Sequence, residues 1–303
     1  MRGLVGALIV GCCVAAASPS AAEEVKIKHD DLTLNAALTL APGKQLKDGA
    51  ILLVHGMLGY NGMEIVQTLQ KLLAARGFSS LAPTISLGID DRHGMYDCSL
   101  AFDFTRKDED AEIGAWLGWL KQQGAVHIVL AGHSSGGTAV ARYAATTDDA
   151  AISALVLLAP ATWMASRTAA DYERQHNMPL ATELAYAQAL VNSGNDEATL
   201  EDVGFLACDH ATVTAGSFVS YYGSDRTHDT PSLLPQIDPP VLVIAAGKDQ
   251  VVRDLPQQVQ PLVDNTGRIT LVTIADADHF FRDLYAEDAA DAIGKFLQAK
   301  MPQ

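Results

Sequence analysis

The pentapeptide Gly132-His133-Ser134-Ser135-Gly136 fits the pattern G-x-S-x-G. A buried apolar run over residues 127–131 feeds into it and a helical pattern over 138–145 leaves it, the context of a tight strand-to-helix turn that lifts a nucleophile clear of a sheet. Such a turn strains the nucleophile's backbone and tolerates only small residues two positions before and after, which Gly132 and Gly136 supply. Ser134 then sits at the start of a helix, where unpaired N–H groups and the helix dipole favour developing negative charge. A serine hydroxyl at its own pKa is a weak nucleophile, so a base must take its proton and a third group must orient that base. Two later strand patterns end in suitable residues: 241–246 runs into Gly247-Lys248-Asp249, and 269–274 into Asp276-Ala277-Asp278-His279. The order Ser134, Asp249, His279 suits acyl transfer by hydroxyl, carboxylate and imidazole. Asp225, Asp276 and Asp278 are the competing carboxylates, while His55 and His133 flank glycines and are expected to brace their turns.

These side chains can meet only if the intervening elements form one sheet. Residues 25–40 alternate apolar and polar, as in an antiparallel hairpin or edge strands. Residues 50–54 are continuously apolar, which suits a central strand covered on both faces. A helical pattern over 64–75 and a strand over 78–82 complete a first βαβ unit. A helix over 108–123, the strand at 127–131, the helix at 138–145 and a strand over 154–159 continue the alternation. It stops at Pro160. Residues 161–235 are too long for an ordinary loop, carry helical patches at 169–176 and 180–191, and are expected to form a helical cap insertion. Strands at 241–246 and 269–274 and helices at 254–263 and 284–300 restore the alternation, so the fold class is α/β with a mostly parallel sheet.

The 303 residues are 49% hydrophobic and 19% charged, enough to bury a large core. A net charge of -15 would repel a phosphate backbone, which argues against nucleic acid as a partner. Residues 1–22 read as a signal peptide: Arg2 precedes an apolar run over 4–17, and Ser20-Ala21-Ala22 offers a small-residue cleavage site before Glu23. The run is shorter than the roughly 20 residues that span a bilayer, and no later stretch is longer, so no transmembrane segment is expected in the mature chain. Lipidation at Cys12 is the alternative reading, giving an anchored protein in place of a periplasmic or secreted one. Cleavage would leave Cys98 and Cys208, either bridged as an oxidising compartment favours or buried as separate thiols. Asp90-Asp91-Arg92-His93 and the 276–279 segment match no dedicated metal motif, and no Gly-rich dinucleotide fingerprint follows the first parallel strand, so neither metal nor cofactor is expected. Nothing in the sequence specifies an oligomeric state.

With these motifs in hand, the chain resembles the α/β-hydrolase superfamily over essentially its whole mature length. The resemblance implies an α/β-hydrolase fold, with Ser134 as nucleophile, Asp249 as acid and His279 as base. It also implies an oxyanion hole made by two backbone N–H groups: that of Ser135, and that of Met57 in His55-Gly56-Met57-Leu58-Gly59, which departs from the triple-glycine lipase type. Leu58, Trp163 and Met164 are candidate substrate-pocket residues. The implied substrate is a small ester. Amides, peptides or thioesters on the same three residues are alternatives, as is a catalytically silent hydrolase-like binding protein.

Overall fold

The computed structural model describes residues 22–224, 226–263 and 267–300. The leader expected over 1–22 lies, save for Ala22, outside the described residues, as do Cys12 and Asp225. Strands β1 (Glu23–His29) and β2 (Leu32–Thr39) form the antiparallel hairpin that the alternating pattern implies. Strands β3 (Ala50–Val54), β4 (Ser80–Thr84), β5 (Ile128–His133), β6 (Ile152–Leu158), β9 (Val241–Ala246) and β10 (Ile269–Ile274) complete an eight-stranded sheet ordered β1-β2-β4-β3-β5-β6-β9-β10. From β4 to β10 every pairing is parallel; β2 meets β4 antiparallel.

Continuous apolar strands are explained by burial on both faces. In β3, Ala50, Leu52 and Val54 enter one core while Ile51 and Leu53 enter the other, and β9 divides Val241, Val243 and Ala245 from Leu242, Ile244 and Ala246 in the same way. Helices α1 (Glu64–Ala75) and α9 (Leu284–Lys300) cover one face through Ile65, Leu69, Leu73, Ile293 and Leu297. Helices α2 (Arg106–Gln122) and α3 (Ser135–Thr146) cover the other through Ile113, Trp116, Leu120 and Val140. A short α8 (Leu255–Val259) replaces the longer helix expected over 254–263, because Pro261 follows in a tighter turn.

Between β6 and β9 the chain leaves the sheet. Helices α4 (Ala165–His176) and α5 (Leu180–Asn192) extend the two patches read from the sequence, and α6 (Ala215–Tyr222) and α7 (Thr230–Leu233) follow. This segment is not purely helical, which corrects the expected helical cap. Strands β7 (Thr199–Phe205) and β8 (Cys208–Thr214) make an antiparallel hairpin. Its signature is hard to read because register shifts between Leu200 and Phe205, with Asp202 at φ 58°, break the period-two alternation. Phe102 adds one bridge to β8, donating to Thr212 and accepting from Thr214. Its ring packs 4.8 Å from Phe205 and 5.6 Å from Tyr221. A disulfide joins Cys98 to Cys208 beside this aromatic cluster, with Cα atoms 5.5 Å apart.

That bond closes a loop of 110 residues, and loop-closure entropy assigns it about 3 to 5 kcal/mol of stability. A Cys98→Ser/Cys208→Ser chain should therefore unfold at distinctly lower urea concentration than the oxidised parent. Superimposable urea curves would contradict that role.

Candidate active site

The turn between β5 and α3 is built by close approach. Ser134 has φ 55° and ψ -125°, a conformation that costs roughly 1 to 3 kcal/mol and persists only where surrounding structure enforces it. A Cβ at Gly132 would stand 2.3 Å from the Gly136 carbonyl oxygen, and one at Gly136 would stand 2.2 Å from the His55 carbonyl oxygen. Neither position admits a side chain, so the first turn of α3 rests directly on the end of β3. Ser134 is half-buried, and its N–H donates to the Leu158 carbonyl at the end of β6.

The other two side chains come from farther along the sheet. β10 lies three strands from β5, roughly 14 Å at ordinary strand spacing, and the loop after β10 returns across that gap. Hydrogen bonds from Gly247 to Ile274 and from Lys248 to Ala277 tie the loops after β9 and β10 together. His279 Nδ1 lies 2.8 Å from Asp249 Oδ2, and its Nε2 lies 3.0 Å from Ser134 Oγ. A carboxylate can only accept, so Nδ1 carries the proton and Nε2 is left to accept the serine proton. Asp249 and His279 are each 6% exposed. Burial alone would raise the Asp249 pKa, but hydrogen bonds from His279, Val252 and Val251 outweigh it and hold the carboxyl below its ordinary value. The competing carboxylates that are described are engaged elsewhere: Asp276 pairs with Lys248 at 2.8 Å, and Asp278 caps its own turn through the Phe280 N–H.

The neighbouring histidines hold backbone. His133 Nε2 donates to the His279 carbonyl at 2.8 Å, and its ring lies 5.0 Å from the His279 ring, tilted by 53°. His55 accepts the Ile85 N–H at Nε2, so its Nδ1 donates to the Gly56 carbonyl at 2.8 Å. Burial lowers their pKa values to about 3 for His55 and about 4 for His133, keeping both rings neutral. The segment carrying Met57 passes close to the nucleophile: a Cβ on Gly56 would lie 3.4 Å from Ser134 Cβ. The Ser135 N–H is the first of α3, one of the donors a helix leaves outside its own ladder.

The candidate pocket residues separate. Leu58 is buried in the core cluster, with φ 54°. Met164 precedes α4 and is exposed. Trp163 is half-buried; its N–H donates to Asp229 and its ring lies edge-on to His228. Met57, Val251 and Phe280, next to residues of the site, also expose apolar side chains, as does Met95. In the 90–93 segment, Glu24, Asp91 and His93 bring ligand-type atoms within 4.8 Å of one another. Lys26 already contacts Asp91 at 2.5 Å and Glu24 at 3.4 Å, so a cation of the protein's own offsets part of the cluster's charge.

A family model described as the alpha/beta hydrolase family matches residues 51–293. The chain belongs to the alpha/beta hydrolase family. No curated protein matches it. Among solved structures of this fold it is similar to Est1E from Butyrivibrio proteoclasticus, at 19% identity and TM-score 0.64, covering 94% of this chain and all of that one. It is also similar to the Paleococcus ferrophilus monoacylglycerol lipase, at 20% identity and TM-score 0.60, covering 88% and 99%. A thioesterase domain from the curacin biosynthetic pathway aligns at 17% identity and TM-score 0.54, covering 92% of this chain and all of that domain. Identities this low speak for the shared hydrolase fold.

Sequence reasoning passed over a buried acid behind the site. Glu112 of α2 is 1% exposed and accepts hydrogen bonds from both the N–H and the hydroxyl of Ser86, just after β4. The signal was present: Glu112 lies one turn before Trp116, on the helix's apolar stripe. Burial pushes its pKa up to about 7, against the hydrogen bonds from Ser86, which lower it. A carboxyl raised from an ordinary value of 4.5 to about 7 adds stability that is complete below the unfolded value and is lost as pH rises through 7. Glu112→Gln should remove this dependence, so its stability relative to the parent should rise by about 3 kcal/mol between pH 4.5 and 8. A difference that stays flat in urea titrations across that range would contradict the shifted carboxyl.

Proposed function

We propose that this alpha/beta hydrolase is an exported serine esterase that cleaves small carboxylic esters through an acyl-enzyme. The observation that carries the reading is the continuous hydrogen-bonded chain from Asp249 through His279 to Ser134 at a strained turn. His279 Nε2 removes the hydroxyl proton as Ser134 Oγ attacks the ester carbonyl, while Asp249 stabilises the imidazolium. Negative charge collects on the carbonyl oxygen, which the N–H groups of Met57 and Ser135 receive. Collapse of the tetrahedral adduct breaks the bond to the alcohol oxygen, which takes the proton from His279. Water then attacks the acyl-enzyme with His279 again as base, and the acid departs. No step draws on a metal or cofactor.

Exposed Met57, Met95, Met164, Val251 and Phe280 favour substrates with an apolar portion. One structure of Est1E holds ferulic acid, an aromatic carboxylic acid, in a fold that aligns at 20% identity and TM-score 0.65. Export is supported by the leader-like composition of residues 1–22 and by the Cys98–Cys208 bond, which suits an oxidising compartment.

Ser134→Ala should fold normally, lose labelling by a fluorophosphonate, and lose roughly 10⁴-fold or more in kcat on p-nitrophenyl esters. A panel of such esters with lengthening acyl chains, run beside anilides and thioesters, should show the highest kcat/KM on an ester. Undiminished turnover by the alanine variant would overturn the nucleophile, and a preference for anilides or thioesters would overturn the substrate class.

A further inference from the structure

Arg92 belongs to the Asp90-Asp91-Arg92-His93 segment, for which neither a metal nor the triad accounts. It is only 4% exposed, and among the described residues no carboxylate lies within ion-pair distance of it. Its guanidinium instead donates to three main-chain carbonyls, two in its own loop after β4 and one in the 55–59 turn. Nε and Nη2 reach the Ile85 oxygen at 3.0 and 2.6 Å, Nη1 reaches Gly94 at 2.6 Å, and Nη2 reaches Gly59 at 2.5 Å. A buried cation is costly, and an apolar side chain could fill the same space without that cost, so its retention calls for a task that only a planar fork of donors performs.

Gly59 is where that task touches the chemistry. Its N–H donates to the Gly56 carbonyl at 3.0 Å, and His55 Nδ1 donates to the same oxygen at 2.8 Å. The peptide joining Gly56 to Met57 is planar and trans, so its C=O and N–H point in opposite directions. Holding the Gly56 oxygen therefore fixes the direction of the Met57 N–H as well, in a turn so near the nucleophile that a Cβ on Gly56 would lie 3.4 Å from Ser134 Cβ. The Leu58 carbonyl is held as well, by the Tyr96 N–H at 3.0 Å.

We propose that Arg92 is a positioning residue, whose guanidinium fixes the 55–59 turn so that the Met57 N–H meets the oxyanion. The proposal rests on the reading of Ser134 as nucleophile. Arg92 touches no reacting atom and acts through Gly59. The transition state, which carries the charge, should feel its loss more than the bound ester does.

The test compares Arg92→Lys, whose single ammonium cannot span three carbonyls, with Asp90→Ala. Asp90 holds the outer end of the same loop by accepting the Thr33 N–H at 2.5 Å, away from the 55–59 turn. For each full-length protein one measures Tm, kcat and KM on p-nitrophenyl acetate, and Ki for a trifluoromethyl ketone that adds to the serine as a tetrahedral oxyanion. Arg92→Lys should lower kcat about 10- to 100-fold, leave KM within about twofold, and raise the ketone Ki by the factor lost from kcat/KM. Asp90→Ala should lower Tm without moving kcat or Ki. If Arg92→Lys does not fold, Arg92→Gln, which keeps one carbonyl donor group, carries the same comparison. Equal losses in the two loop variants, or a change confined to KM, would overturn the positioning role. Ketone binding that survives Ser134→Ala would overturn the nucleophile reading and the proposal with it.

Discussion

Contact between the first turn of α3 and the end of β3 governs the geometry of the site. The Gly136 backbone lies so close to the His55 carbonyl that a methyl group would not fit, and this approach holds Ser134 at a positive φ. The same contact brings the 55–59 turn alongside Ser134, because β3 and β5 are adjacent parallel strands whose carboxyl ends lie together. Ser134 and the 55–59 turn thus become neighbours through one packing constraint. Strain at Ser134 is sustained by a sheet buried on both faces, where any relaxation would have to move β3, β5 and α3 together.

Around that constraint lies a polar lattice in a largely apolar interior. His55 and His133 are kept neutral by burial and spend their ring N–H groups on carbonyls, so neither competes with His279 for the serine proton. Arg92 and Glu112 serve the loop after β4 from two sides, one donating to Ile85 and the other accepting from Ser86. Each buried group satisfies main-chain atoms at the strand ends, where sheet hydrogen bonding has stopped and backbone groups would otherwise go unpaired. The loops become rigid enough to hold a catalytic arrangement without being covered by regular structure.

The segment between β6 and β9 is linked to this lattice through residues 85–104. That stretch meets the 55–59 turn at Tyr96 and Arg92, then joins the β7–β8 hairpin through the Cys98–Cys208 bond and the Phe102 bridge. The position of the inserted segment and the shape of the 55–59 turn therefore share one covalently anchored strap.

Alternation of apolar runs with helical periodicity was enough to place every strand of the main sheet to within a few residues, since burial on both faces leaves a continuous apolar signature. Glycines at 132 and 136, with carboxylate and imidazole after the last two strands, likewise made Ser134, Asp249 and His279 legible, because a strained turn restricts residue type locally. The β7–β8 hairpin escaped notice because its register shifts erase the period of two. Cys98 and Cys208, 110 residues apart, could be joined only by a fold that brings their Cα atoms to 5.5 Å. Glu112 stands on an apolar helical stripe that already marks it in the sequence, whereas Arg92 became meaningful only in three dimensions, since its partners are backbone carbonyls, which every residue possesses and no sequence pattern distinguishes.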